Sequence, residues 1–106
     1  MIPRMLRHAC TAALVALAPL PAFADDAKVV MKNFDFAPMA LSVSAGTTVV
    51  WTNQDGEPHT VVSVDGLFRS AALDQNESFR FTFDKAGTYK YVCSIHPKMV
   101  GTITVK

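Results

Sequence analysis

Beyond residue 27 the chain alternates between apolar and polar positions with a period of two. Phe79, Phe81 and Phe83 interleave with Arg80, Thr82 and Asp84, and Tyr89, Tyr91 and Cys93 with Thr88, Lys90 and Val92. Leu41 and Val43 fall on one face of a short run whose other face carries Ser42 and Ser44. Such alternation is the mark of half-buried strands. Residues 47–52, which include Trp51, and residues 59–64 are rich in β-branched side chains, and residues 28–32 and 102–105 read as strands at the two ends. Ala45-Gly46 and the polar stretch Asn53-Gln54-Asp55-Gly56-Glu57-Pro58 supply breaks between runs. About seven short strands with turns between them predict an all-β fold, a small antiparallel Greek-key sandwich. Only residues 67–75 are ambiguous, between a loop and a helical turn. The three phenylalanines and Trp51 are expected in the core, and Gly87-Thr88-Tyr89 suits a tyrosine corner at the start of a late strand.

The first 24 residues follow a different pattern. Arg4 and Arg7 precede an apolar run from residue 9 to residue 20, which ends in Ala22-Phe23-Ala24 before Asp25-Asp26. A basic start, a short apolar middle and small residues before a cut describe a secretory signal peptide, and the run is too short to span a bilayer comfortably. The expected organisation is a signal peptide over residues 1–24 and a single domain over residues 25–106. Cleavage after Ala24 turns a formal charge of +1 into one of about −1. Near-neutral charge excludes the electrostatic footprint of a nucleic-acid binder, and a chain of 106 residues is too short for a Rossmann enzyme or a barrel. Cleavage also removes Cys10 and His8. One cysteine, Cys93, and two histidines, His59 and His96, remain. A lone thiol in an exported, oxidising compartment is either deeply buried or held by something, and a small core gains from a metal that staples distant segments.

The remaining chemistry is concentrated in Cys93-Ser94-Ile95-His96-Pro97-Lys98-Met99. Three metal-capable side chains recur at every third position where a strand gives way to a loop. His59 follows Pro58 at another loop–strand junction, which a sandwich can bring to the same end. The candidate metal ligands are therefore His59, Cys93, His96 and Met99. Two imidazoles and a thiolate, with a weaker thioether, suit copper. Zinc would bind, but a thioether is a poor zinc ligand and structural zinc sites usually have two or more thiolates or Cys2His2. No residue set for nucleophilic catalysis accompanies Cys93, and two histidines cannot build a second catalytic copper site, so an enzyme is not expected.

The same residues resemble the cupredoxins, the blue-copper proteins, of amicyanin-like or plastocyanin-like type. The likeness rests on the C-x-x-H-P-x-M spacing from Cys93 to Met99, and extends through Phe36-Ala37-Pro38, Leu41-Ser42-Val43, the run Gly46 to Asn53, Pro58-His59 and Gly87-Thr88-Tyr89-Lys90-Tyr91. It implies one type 1 copper per chain, with His59, Cys93 and His96 as equatorial ligands and Met99 on the axis. It also implies an exported, periplasmic electron carrier that cycles between Cu(II) and Cu(I). His96 would be the electron port, transient redox proteins would dock near it beside Pro97 and Lys98, and there would be no nucleic-acid partner and no stable membrane insertion after cleavage. Ser94 is expected to donate a hydrogen bond toward the thiolate. The chain departs from the amicyanin pattern at Thr60, where an asparagine would tie the ligand loops together, and at Lys98, where an aromatic residue would stand. A copper carrier or buffer without a dedicated electron-transfer role is the alternative reading.

Overall fold

The computed structural model describes residues 26–106; the expected signal peptide lies outside the described residues. Eight strands follow in order: β1 (Ala27–Lys32), β2 (Asp35–Ala37), β3 (Ala40–Val43), β4 (Thr47–Asn53), β5 (Val62–Ser63), β6 (Ser78–Phe83), β7 (Gly87–Val92) and β8 (Val100–Val105). They form two four-stranded sheets, β2-β1-β4-β6 and β3-β8-β7-β5, packed as a sandwich. The expected all-β sandwich is present. The expectation of purely antiparallel pairing is corrected, because β1 runs parallel to β4 and β3 parallel to β8, so both sheets are mixed. Parallel neighbours need a crossover rather than a hairpin, and here the chain crosses between the sheets to supply it.

Alternation shows directly in burial. Along β4, Thr47, Val49, Trp51 and Asn53 are buried while Thr48, Val50 and Thr52 are half-buried. The core holds Trp51, Tyr91, Phe36, Phe83, Met31, Val29, Val49 and Ile103 among its most enclosed side chains. Phe79 and Phe81 are partly buried and pack against this core, so the phenylalanine stripe is structural. Tyr91 packs edge-on against Trp51, with ring centroids 5.4 Å apart, and against Phe36 at 4.7 Å. Among the described residues neither Trp51 Nε1 nor the Tyr91 hydroxyl meets a partner in ordinary hydrogen-bond geometry. Burial pushes the Tyr91 phenol up to about 12, the neighbouring indole offsetting part of the rise. Gly101 faces Tyr91 across the β7–β8 ladder, and any Cβ there would overlap the phenol ring. The tyrosine corner forms as expected, with the Tyr89 hydroxyl donating to Lys85 O at 2.6 Å.

Two local features position the functional end. β1 and β2 form a hairpin closed by the Lys32–Asp35 pair, and its two turn residues, Asn33 and Phe34, have φ of 55° and 60°. Left-handed residues at both positions match the twist of a two-residue hairpin. At the far end of β4, fully buried Asn53 acts as a joint. Its Nδ2 donates to Glu57 O at 2.8 Å and to Leu73 O at 2.9 Å, and its Oδ1 accepts from Asp55 N at 2.8 Å. The ambiguous stretch after Leu67 is a loop pinned by isolated bridges, His59 to Leu73 and Val62 to Arg69.

Candidate metal centre

Two chain segments meet at one end of the sandwich. His59 leaves the β4–β5 connection, fixed in the backbone by reciprocal bonds with Leu73, N to O at 3.1 Å and O from N at 2.7 Å. Cys93 directly follows β7. The loop after it returns at Met99, where Cys93 N donates to Met99 O at 3.1 Å and Met99 N donates to His96 O at 2.9 Å. These two bonds fold the seven residues into a closed turn that presents Cys93 and His96 on the same side. His59 and Cys93 are fully buried and His96 is half-buried.

The ligand atoms of His59, Cys93 and His96 lie within 4.8 Å of one another. Cys93 Sγ is 3.9 Å from His59 Nδ1 and 3.8 Å from His96 Nδ1, and the two Nδ1 atoms are 3.2 Å apart. Both imidazoles thus turn the same nitrogen toward the sulfur. Met99 is buried within the same loop, 1% exposed. Cys93 has no disulfide partner among the described residues.

The surroundings explain that orientation. His59 Nε2 lies 2.8 Å from Asp55 Oδ2, which leaves Nδ1 to face the cluster. A carboxylate behind an imidazole fixes its tautomer and the orientation of its ring. Asp55 also accepts from Asn33 N at 2.8 Å and Phe34 N at 2.9 Å. Burial alone would raise the Asp55 carboxyl, but the Phe34 N–H, the His59 ring and the Asn33 N–H together hold it below the usual carboxylate value. The roles of Asp55 and Phe34 are not legible in the sequence. An acidic residue four before a histidine, in a polar loop, was the one available signal for Asp55; nothing marked Phe34.

Residues 7–105 match the family model of a cupredoxin-like domain. The chain belongs to the cupredoxin family. An amicyanin of Paracoccus versutus is 34% identical over 98 residues, which cover 87% of this chain and 72% of that protein. A plastocyanin of Scenedesmus fuscus is 37% identical over 84 residues, covering 67% of this chain and 86% of that one. Among solved structures, a purple cupredoxin from Nitrosopumilus maritimus has a TM-score of 0.71 and 37% identity, covering 76% of this chain and 100% of its own. A methionine-to-alanine variant of amicyanin in its Cu(I) form has a TM-score of 0.73 and 30% identity, covering 79% of this chain and 86% of its own.

Within this cupredoxin the two sequence departures have distinct structural roles. Thr60 ties the ligand loops together through its hydroxyl. Ser94 N donates to Thr60 Oγ1 at 2.7 Å, and the two hydroxyl oxygens are 2.8 Å apart. Thr60 N donates to Cys93 Sγ at 3.4 Å, with its hydroxyl 3.8 Å from the same sulfur. The expected hydrogen bond from Ser94 to the thiolate is replaced: Ser94 bonds Thr60, and Thr60 faces the sulfur. Lys98 is exposed on the rim of a hollow also lined by Phe34, Ile95, His96, Pro97 and Met99.

Proposed function

We propose that this cupredoxin carries single electrons at one type 1 copper held by His59, Cys93 and His96, with Met99 as the weaker fourth ligand. The observation that carries the reading is the convergence of two Nδ1 atoms and one thiol sulfur at a buried end of the sandwich. The donor set fits the group, since imidazole suits Cu(II) and soft sulfur suits Cu(I). Copper, when bound, supplies a one-electron couple that no side chain here provides alone.

The chain's own residues do the rest. Asp55 keeps the His59 Nδ1 aimed at the cluster. The Thr60 N–H partly neutralises the Cys93 thiolate. The Asn53 joint and the closed turn from Cys93 to Met99 hold these groups at fixed distances, so the arrangement need not move when charge changes. His96, half-buried beside Pro97, is the route by which an electron reaches the surface. A redox partner docking there would cover a small apolar patch, as transient electron-transfer contacts do, and Lys98 favours an acidic partner surface. The signal-like segment and the relatives' kind support export to a periplasm-like compartment. Among the described residues no helix is long and apolar enough to cross a membrane.

The test is the visible spectrum of residues 25–106 after one equivalent of Cu(II). An intense thiolate-to-copper band that bleaches with ascorbate and returns on reoxidation is expected. A colourless protein that holds copper only as Cu(I) would overturn electron transfer and leave copper transport in its place.

A further inference from the structure

Phe34 sits in a conformation that its side chain seldom adopts. Its φ is 60°, next to Asn33 at 55°. Asparagine tolerates that region, and glycine is the ordinary second residue of such a turn. A bulky residue there is a backbone outlier, and outliers of this kind gather around functional sites. Phe34 is 44% exposed, so core packing does not account for it. Its ring instead stands edge-on to both imidazoles of the metal centre, with centroids 5.2 Å from His59 and 4.8 Å from His96. Phe34 and His59 are the aromatic neighbours of the His96 ring among the described residues.

The turn is held in place from the site itself. The Asp55 carboxylate accepts the Asn33 N–H on Oδ1 and the Phe34 N–H on Oδ2. The same Oδ2 faces His59 Nε2 at 2.8 Å. One carboxylate therefore fixes both the buried imidazole and the ring that covers the pair.

We propose that Phe34 is a positioning residue, an aromatic cap clamped by Asp55, that closes the solvent side of the two imidazoles and holds the half-buried His96 ring in its working position. This rests on reading His59, Cys93 and His96 as the ligands. Without the cap, His96 is kept in place by its own short loop and by contact with His59, and it swings toward solvent more often. An edge-to-face aromatic pair of ordinary strength corresponds to a roughly two- to ten-fold bias toward the covered position.

The test uses Phe34→Gly. Glycine is the residue this turn favours, so the fold is retained while the ring is lost. Diethyl pyrocarbonate labelling of His96 in the metal-free protein, at fixed pH and read by peptide mass spectrometry, should accelerate by about two- to ten-fold. In the copper-loaded protein, metal transfer to an excess of chelator should accelerate by a similar factor, with one copper per chain still bound at the start. Wild-type rates for His96 labelling in a folded variant would overturn the cap. If Phe34→Gly fails to fold, Phe34→Asn gives the same comparison, because asparagine also tolerates this backbone. A wild-type protein that binds no copper would sink the ligand reading instead, and the labelling comparison would still decide the cap.

Discussion

Replacing Asn53 by alanine should cost this domain a large share of its stability, although the hydrogen bonds of its side chain go to Glu57, Leu73 and Asp55 rather than to a candidate ligand. The side chain makes three hydrogen bonds, to Glu57 O, Leu73 O and Asp55 N, and is 0% exposed. A net hydrogen bond contributes about 0.5–1.5 kcal/mol. Two partners lie toward solvent: Glu57 is exposed and Asp55 half-buried, so water replaces those bonds and their loss sits at the low end. The third partner, Leu73 O, keeps the bond from His59 N. Adding the space vacated in a tight corner, the expected loss is about 2–3 kcal/mol. A domain of this size has a total of roughly 4–12 kcal/mol, and the loss corresponds to a Tm drop of roughly 10–20 °C. The assay is urea unfolding of the metal-free protein followed by far-ultraviolet circular dichroism, with the slope m unchanged so that the midpoint reports stability. Asn53→Asp gives a sharper comparison. It keeps the acceptor for Asp55 N but sets a carboxylate against two carbonyl oxygens and near the Asp55 charge, so it should be less stable than Asn53→Ala at neutral pH. A loss below about 1 kcal/mol for alanine, or an aspartate variant as stable as the alanine one, would refute the account of Asn53 as a donor-driven joint.

Two further outcomes follow from the same structure. Thr60→Val removes the acceptor of the Ser94 N–H while keeping the shape, and should cost about 1 kcal/mol in urea unfolding because Ser94 is open to water; in the copper-loaded protein the reduction potential should fall, since the thiolate loses a nearby hydroxyl, and Thr60→Ser should restore both. Tyr91 supplies a pH dependence: its phenol is pushed up to about 12 from an ordinary 10.0, so the unfolded chain ionises first. Stability on this account is intact below pH 10 and declines as pH rises toward 12, by up to roughly 2–3 kcal/mol, and unfolding midpoints between pH 9 and 11.5 should show a slope in the wild type that Tyr91→Phe removes.

Where side-chain period and burial coincide, the sequence was a good guide to this fold. The alternation through Phe79, Phe81 and Phe83 marked β6, and Tyr89 and Tyr91 marked β7, because one face of each strand packs on the core. β2 was not legible: three residues are too few to show a period, and its hairpin turn, Asn33-Phe34, lacks the glycine that announces such turns. The run from His59 to Val64 read as one strand, yet only Val62 and Ser63 pair with β7, because His59 and its neighbours are drawn into bridges with the following loop. Parallel pairing was not legible, since alternation says which face is buried and nothing of which strand lies beside it. At the candidate metal centre, the spacing from Cys93 to Met99 points to a single turn, and the structure brings His59 within reach of Cys93 and His96. The carboxylate behind His59 and the ring above it were not legible, because both depend on a hairpin turn 21 and 22 residues away from Asp55 in sequence.

The placement of Trp51 has a practical side. It is the chain's one tryptophan, fully enclosed, on a strand of one sheet and edge-on to Tyr91, which lies two residues before Cys93 on the other. An indole so shielded from water emits at short wavelengths, and it shifts to the red only when the two sheets part. The protein thus carries a built-in fluorophore that watches the core, while the colour expected of a copper–thiolate bond watches the site. Followed together in one cuvette, the two emission and absorption traces would show whether metal is lost before the sandwich opens or only as it does.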